Sequence, residues 1–156
     1  MRHFRLSGFS SVEKIIATFG VVVMIAAVAW LLYNAGSVGS TRNAERTKDV
    51  RTIMDAVYQH SIDHGGVITA EIDTSLQMIG TAQTGCAIQC GDVKLENDTC
   101  LNLAPLLADE YIIDVPFDPA VGSQQRTYYA IKKTEGQRLH VAACKVEQGV
   151  HIYAAR

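Results

Sequence analysis

The feature that most constrains this chain is an uncharged apolar run of 19 residues, from Ile15 to Tyr33. Coiled as a helix at about 1.5 Å per residue, the run spans about 28 Å, close to the roughly 30 Å hydrocarbon thickness of a bilayer. It therefore predicts one transmembrane helix near the start of the chain. About 120 residues follow, enough for one small globular head with a modest core.

The charge balance argues against a nucleic-acid partner. The formal net charge is −2, and the first eight residues contain Arg2 and Arg5 but no acid. The remaining residues hold 12 basic and 16 acidic side chains. Because there is no basic surplus and no basic cluster in the head, we expect no sequence-specific binding of nucleic acid.

A second helical pattern begins at Thr41 and stops at Gly65-Gly66, a strong termination signal. Apolar residues recur along it at spacings of three and four, which indicates an amphipathic helix that needs a partner surface from the residues after Gly66. The apolar face comprises Val50, Ile53, Met54, Val57, Tyr58 and Ile62, and the charged residues Arg42, Glu45, Arg46, Lys48, Asp49, Arg51 and Asp55 occupy the other faces.

The two helical patterns are separated by a break in composition from Asn34 to Ser40. Two glycines and two serines there lower the helix propensity, so we expect a loosened or melted stretch. The chain is thus predicted to form a membrane helix that continues, after this weak point, into the amphipathic helix.

The residues after Gly66 read as loops and short strands. Two alternating segments, Arg126 to Lys132 and Arg138 to Cys144, flank a turn with glycine and predict a β-hairpin. A third strand is expected from Val150 to Tyr153, and a short helix within Leu101 to Leu107. The predicted fold class is α+β, a small antiparallel sheet packed on the amphipathic helix.

All four cysteines, Cys86, Cys90, Cys100 and Cys144, follow the apolar run. An even number in a small exported head predicts two disulfides and an oxidising compartment. A metal site made by the four thiolates is the weaker alternative, because no second close pair completes a zinc ribbon or knuckle. Three disulfide pairings are possible, and the sequence does not choose among them.

Two pairs of polar residues are candidates for chemistry, and both have simpler interpretations. His60 and His64 are spaced i, i+4, but no glutamate completes an H-E-x-x-H motif, and a polar face near a helix C-terminus, where imidazole suits the dipole, is favoured. Asp114 and Asp118 flank Pro116 without a basic or nucleophilic companion and are interpreted as turn-forming. The sequence therefore predicts no catalytic residue, no cofactor and no metal.

Three interpretations compete for the N-terminal segment. The first is a cleavable secretory signal with a small-residue site at 35–37, although 19 apolar residues are long for such a signal. The second is a plain single-pass anchor, oriented by Arg2, Arg5 and Lys14 with the head outside. The third rests on the residues directly before the apolar run.

Those residues, Gly8-Phe9-Ser10-Ser11-Val12-Glu13, resemble the class III signal of type IV pilins and pseudopilins. The resemblance implies that a prepilin peptidase cuts after Gly8. Phe9 then becomes an N-methylated N-terminus, and Glu13 is the fifth mature residue. A looser similarity covers Cys100 to about Tyr153, where CLNLAPLLADEYIIDVPFDP and YYAIKK look like the C-terminal half of pilins related to bacterial pilus-assembly proteins.

The resemblance also implies the type IV pilin fold, in which a long N-terminal helix packs on a small antiparallel β head. The corresponding segments are a leader at 1–8, a transmembrane and assembly helix at 9–33, its continuation packed on the head at 34–66, and a disulfide-bearing β head at 67–156.

Glu13 is a carboxylate at the start of an apolar helix with no evident partner within the chain. Cleavage after Gly8 gives Phe9 a cationic amine, and an isolated charge in an apolar environment is costly while a paired one is tolerated. We therefore expect Glu13 of one subunit to meet the Phe9 amine of its neighbour and to set the axial register of assembly. Lys14 is an adjacent charge that can pair with Glu13 and compete with this contact.

The function implied by the resemblance is structural, as a subunit of a surface filament for adhesion, twitching motility or DNA uptake. Its partners are then other pilin subunits, the prepilin peptidase, and a platform protein and motor ATPase. The subunit waits as a single-pass protein in the bacterial inner membrane before joining the extracellular filament. The alternatives are a minor pilin or type II secretion pseudopilin and, outside the family, a single-pass membrane protein with a ligand-binding extracytoplasmic head.

Overall fold

The structure is a computed structural model that describes residues 10–156, without the side chain of residue 35. The chain is α+β and divides into two units, one ending at Val38 and one beginning at Gly39. Its elements are helices α1 (Ser11–Asp63) and α2 (Ala104–Leu107) and strands β1 (Gln77–Met78), β2 (Gln89–Cys90), β3 (Val93–Lys94), β4 (Tyr129–Lys133), β5 (Leu139–Ala143) and β6 (Tyr153–Ala155).

Helix α1 is continuous through the segment from Asn34 to Ser40, so the prediction of a melted stretch there is wrong. Two glycines cost about 1 kcal/mol each relative to alanine, which is too little to break the hydrogen-bond ladder of a long helix. The polar side chains also bond within the helix. Asn34 Nδ2 donates to the Trp30 carbonyl at 2.8 Å, and Ser37 Oγ donates to the Asn34 carbonyl at 2.8 Å.

Helix α1 ends where the glycine pair predicts. Gly65 and Gly66 have φ angles of 79° and 81°, in the left-handed region that glycine enters without a Cβ clash. The Gly66 N–H donates to the Ser61 carbonyl at 2.7 Å, and the Gly65 N–H donates to the Ile62 carbonyl at 3.2 Å. These two bonds form a Schellman motif, which satisfies carbonyls that the end of a helix otherwise leaves unpaired.

The second unit places one face of α1 against a four-stranded antiparallel sheet of order β1-β4-β5-β6. Val50, Ile53, Met54 and Val57 are buried there, as the spacing predicts. Ile62 is an exception, because it remains 50% exposed in the last turn before the glycines. Alternate sheet residues complete this core, among them Tyr129, Ile131, Leu139, Val141 and Ala143.

The predicted hairpin is present as β4 and β5, with Ile131 opposite Val141. Its first strand begins at Tyr129 rather than Arg126, because Tyr128 adopts a left-handed φ of 59° that a strand cannot contain. The third strand is displaced from the predicted Val150–Tyr153 to Tyr153–Ala155. Gln148 and Gly149 both have positive φ and form a turn before this strand.

The two predicted disulfides are present and join Cys86 to Cys100 and Cys90 to Cys144. They lie in a second buried cluster, together with Met78, Leu95 and Ala130. The segment between residues 84 and 97 contains a small hairpin of β2 and β3, which the second disulfide ties to the residue after β5. The short helix α2 carries Pro105 in its first turn, where a missing N–H costs nothing.

We expect the Cys90–Cys144 disulfide to stabilise the head more than Cys86–Cys100. Their sequence separations are 54 and 14 residues, which correspond to about 4 and about 3 kcal/mol of loop-closure free energy. Denaturant unfolding of the two double Cys→Ala variants, each in the full chain in detergent, measures the difference. A greater loss in the Cys86→Ala, Cys100→Ala variant would contradict the chain-entropy argument.

Candidate functional site

Glu13 has a partner within the chain. Its Oε2 accepts a hydrogen bond from the Ser10 backbone N–H at 2.7 Å, and the Lys14 N–H donates to the Ser10 carbonyl at 3.1 Å. Ser10 is thus the N-cap of α1 and Glu13 its N3 residue, which is the glutamate half of a capping box. The sequence expectation that Glu13 lacks a partner is wrong, and the S-x-x-E spacing at 10–13 was the signal for it. Gly8 and Phe9, the predicted cleavage and methylation residues, lie outside the described residues.

The first half of α1 is apolar and uncovered. Within residues 10–156, α1 is the one helix long and apolar enough to cross a membrane, with a mean hydropathy of 2.7 over its most apolar 18-residue window and none of that window buried. In the core helix of a soluble protein such a window is mostly buried, whereas this window is exposed. The exposed apolar side chains between the predicted limits Ile15 and Tyr33 are Ile15, Ile16, Phe19, Val21, Val22, Val23, Met24, Ile25, Val28, Trp30, Leu31, Leu32 and Tyr33.

A buried ion pair holds the second half of α1 to the head. Arg46 Nε donates to Asp118 Oδ2 at 2.7 Å, and Arg46 Nη2 donates to Asp118 Oδ1 at 3.1 Å. Both residues are only 1% exposed. The two parallel bonds are the bidentate geometry that a guanidinium makes with a carboxylate, and the bond to Asp118 is the main reason that the pKa of Arg46 is raised.

The loop that follows Pro116 presents Asp118 to Arg46. Asp118 Oδ1 also accepts from the Ala120 and Val121 backbone N–H groups at 2.9 and 3.2 Å. The chain then folds back so tightly that a Cβ at Gly122 would collide with the backbone nitrogen and oxygen of Asp118. The carboxylate therefore has four donors around it, which offset the loss of its hydration.

The residues after β5 add a second carboxylate to this site. Arg46 Nη1 donates to Glu147 Oε2 at 3.2 Å, and Arg42 reaches the same carboxylate through Nε at 3.1 Å and through Nη2. Asn43 makes two hydrogen bonds with the Glu147 backbone. Its Nδ2 donates to the Glu147 carbonyl at 2.9 Å, and the Glu147 N–H donates to Asn43 Oδ1 at 3.2 Å. The Arg42 hydrogen bonds, followed by those of Arg46, lower the pKa of Glu147.

A second polar contact lies one turn further along α1. The Tyr129 hydroxyl donates to Asp49 Oδ2 at 2.8 Å, from a tyrosine that is fully buried in the sheet. Burial raises the pKa of Asp49, and burial together with the Asp49 charge raises the pKa of Tyr129. Asp49 therefore joins the helix to the sheet, and Arg46 joins it to the loop after Pro116.

The sequence interpretation of these charges needs correction. The charge pattern puts Arg46 off the buried face, yet Arg46 and Asn43 are both buried. They lie four and seven residues before Val50, so the buried stripe continues through polar residues. Asp118 forms a turn, as the sequence interpretation has it. It also has a basic companion, Arg46, which the local sequence does not show because it lies 72 residues away. Asp114, the other aspartate beside Pro116, is exposed and does not contact Arg46.

The remaining candidates give little sign of reactive chemistry. Within residues 10–156, no group of three or more His, Cys, Asp or Glu side chains is placed to hold a metal ion. His60 and His64 lie side by side at the end of α1. The buried carboxylate of Asp118 and the partly buried one of Asp49 are engaged by Arg46 and Tyr129, so both serve to hold α1 in place.

Comparisons with protein-family models, with curated proteins and with solved structures give no match to this chain. The fold class and the site geometry therefore stand on the structure, and an assignment to a family is a proposal.

We expect Arg46→Met to lower the free energy of unfolding by about 3 to 5 kcal/mol, because it leaves the Asp118 carboxylate buried without its cation. Denaturant unfolding of the full chain in detergent measures this loss. Arg51→Met is the matched control, since Arg51 is exposed on the same helix. Combining Arg46→Met with Asp118→Asn should recover part of the loss, because the buried charge is gone while the amide oxygen still accepts from the loop. Equal stability of the Arg46→Met and Arg51→Met variants would show that the ion pair does not anchor the helix.

Proposed function

We propose that this chain is a type IV pilin-like subunit, made with a leader at residues 1–8 that a prepilin peptidase removes and assembled into a filament through the first half of α1. Such a subunit is a structural protein rather than an enzyme. It is stored as a single-pass protein in the bacterial inner membrane and leaves it for a surface filament that serves adhesion, twitching motility or DNA uptake.

The observation that carries the proposal is the contrast between the two halves of α1. The first half exposes an apolar surface over its whole circumference, and such a surface needs lipid or other apolar helices around it. The second half is held to a disulfide-bearing head by Arg46, Asp49 and the aliphatic stripe. One helix thus combines a segment suited to a membrane or a helix bundle with a segment fixed to a folded domain.

The continuity of α1 weighs against a conventional secretory signal. Signal cleavage at 35–37 would have to take place inside a helix that is unbroken from Ser11 to Asp63. The motif at Gly8-Phe9 instead places the cut before the first residue of the helix. The whole apolar segment then remains part of the mature protein, as a filament subunit requires.

The capping contact of Glu13 refines its proposed role in assembly. One carboxylate oxygen bonds the Ser10 N–H, so the side chain is turned towards the N-terminal end of its own helix. The amine created by cleavage after Gly8 belongs to Phe9, the residue directly before Ser10. A carboxylate already oriented in this direction is pre-organised to meet the cationic amine of a neighbouring subunit, and binding it costs less side-chain entropy.

The proposal predicts that the leader is removed after Gly8. Co-expression with a prepilin peptidase should yield a protein whose intact mass and N-terminal peptide begin at methylated Phe9. Gly8→Val should block the cut because it replaces the glycine that ends the leader, whereas Gly20→Val, at a position where a Cβ meets no neighbour, should be processed normally. An intact Met1 with active peptidase present, or a start near Ser37, would exclude the pilin function and leave a single-pass membrane protein or a cleaved secretory protein.

Glu13→Gln separates the capping role of Glu13 from its charge. Glutamine at N3 keeps an acceptor for the Ser10 N–H but cannot form an ion pair with an amine. We expect Glu13→Gln to be cleaved and stably inserted yet absent from filaments, as measured by immunoblotting of sheared surface fractions against whole cells. Glu13→Ala should share this defect and also lose about 0.5 to 1 kcal/mol of helix stability. Normal incorporation of Glu13→Gln would refute the charge-pairing argument while leaving the cleavage result intact.

A further inference from the structure

Two histidines that do not anchor the helix lie at its C-terminal end, His60 in the last turn of α1 and His64 directly after it. The rings of His60 and His64 stack with centroids 4.0 Å apart and planes inclined by 13°. His64 is exposed and His60 is half-buried. Residues four apart lie on the same helix face, so both imidazoles are presented at one place on the surface.

A backbone contact sets the tautomer of His64. Its Nδ1 lies 2.8 Å from the carbonyl oxygen of His60. A carbonyl oxygen only accepts, so Nδ1 carries the hydrogen and donates it. In the neutral ring, Nε2 then holds the lone pair. Metal-bound histidines have the same arrangement, with the second nitrogen donating to a carbonyl or carboxylate.

The His60 ring packs against two other rings. The His64 ring covers one side, and the Tyr111 ring meets it edge-on, with centroids 5.6 Å apart and an interplanar angle of 71°. Within residues 10–156, no hydrogen bond engages either ring nitrogen of His60. Both ring nitrogens of His60 are therefore available to a ligand.

The surroundings of the two rings are acidic. Asp63 lies between the histidines in sequence, and Glu110 precedes Tyr111. The negative charges of Asp63 and Glu110 favour the approach of a cation.

We propose that His60 and His64 form a surface site for a divalent transition metal ion, bound through Nε2 of His64 and a ring nitrogen of His60. Imidazole suits Cu²⁺, Ni²⁺ and Zn²⁺, and the affinity order of these ions places Cu²⁺ first. The rings stand parallel, so binding turns them until their lone pairs converge on the ion. Water completes the coordination, because no third protein ligand of the usual types stands with them in residues 10–156. The site is independent of the filament function.

The test uses the full chain in detergent with His3→Gln, which removes the histidine near the N-terminus as a competitor for Cu²⁺. Electron paramagnetic resonance at limiting Cu²⁺ counts the coordinating nitrogens. We expect two imidazole nitrogens and saturation at one Cu²⁺ per chain. His60→Gln and His64→Gln should each leave at most one imidazole nitrogen and weaken binding at least about tenfold, since half of the protein ligands are lost.

His140→Gln and His151→Gln are the matched controls, because both histidines line one cavity of the head to which α1 contributes no residue. Each should keep the parental spectrum and affinity. Far-UV circular dichroism checks that the His60 and His64 variants keep their helix, and the exposed His64 decides the question if His60→Gln fails to fold. The proposal is overturned if the parent shows no two-nitrogen signal, if His64→Gln binds as tightly as the parent, or if the signal follows His140 or His151.

Discussion

The buried ion pair between Arg46 and Asp118 is the contact on which the head depends. It joins the first element of the head to a loop 72 residues later, and Glu147 brings the chain after β5 to the same guanidinium. A buried pair adds little net stability over a well-packed apolar one, because desolvation cancels much of the attraction. We interpret its role as one of register. The aliphatic stripe from Val50 to Val57 would tolerate a slip along the sheet, whereas a two-pronged bond to one carboxylate would not.

The register of the helix in turn organises the two buried clusters of the head. With Arg46 and Asp49 fixed, the aliphatic stripe faces one side of β4 and β5, and the disulfides cover the other side around Ala130. Strands of two to five residues make a sheet too small to be stable alone, so the helix on one face and the cross-links on the other are both required. The head is thus a helix packed on one face of a small sheet, with two disulfides on the other face.

Periodicity and local chemistry made much of this architecture predictable, and long-range pairing did not. The spacing of Val50, Ile53, Met54 and Val57, the glycine stop and the alternation in the hairpin are local signals, and each appears in the structure. The stretch from Asn34 to Ser40 was misjudged because propensity is a weak term beside the cooperativity of a long helix. Arg46 and Asp118 were missed because a charged residue occupies a core position only when a partner pairs with it, and here the partners are 72 residues apart, so nothing in the residues around either one specifies the other. The cap at Glu13 was in reach, since its S-x-x-E spacing is local.

The order of these contacts along the chain has a consequence for biosynthesis. Arg46 is translated before both of its acidic partners, and Glu147 follows it by 101 residues. At a synthesis rate of about 5 to 20 residues per second, the guanidinium waits roughly 5 to 20 s for that carboxylate. Cys90 likewise cannot form its native disulfide until Cys144 emerges. A chain interrupted before Cys144 would therefore leave Cys90 without its native disulfide partner and Arg46 without Glu147, and the unpaired cysteine is a mark by which a thiol oxidoreductase can recognise an unfinished product.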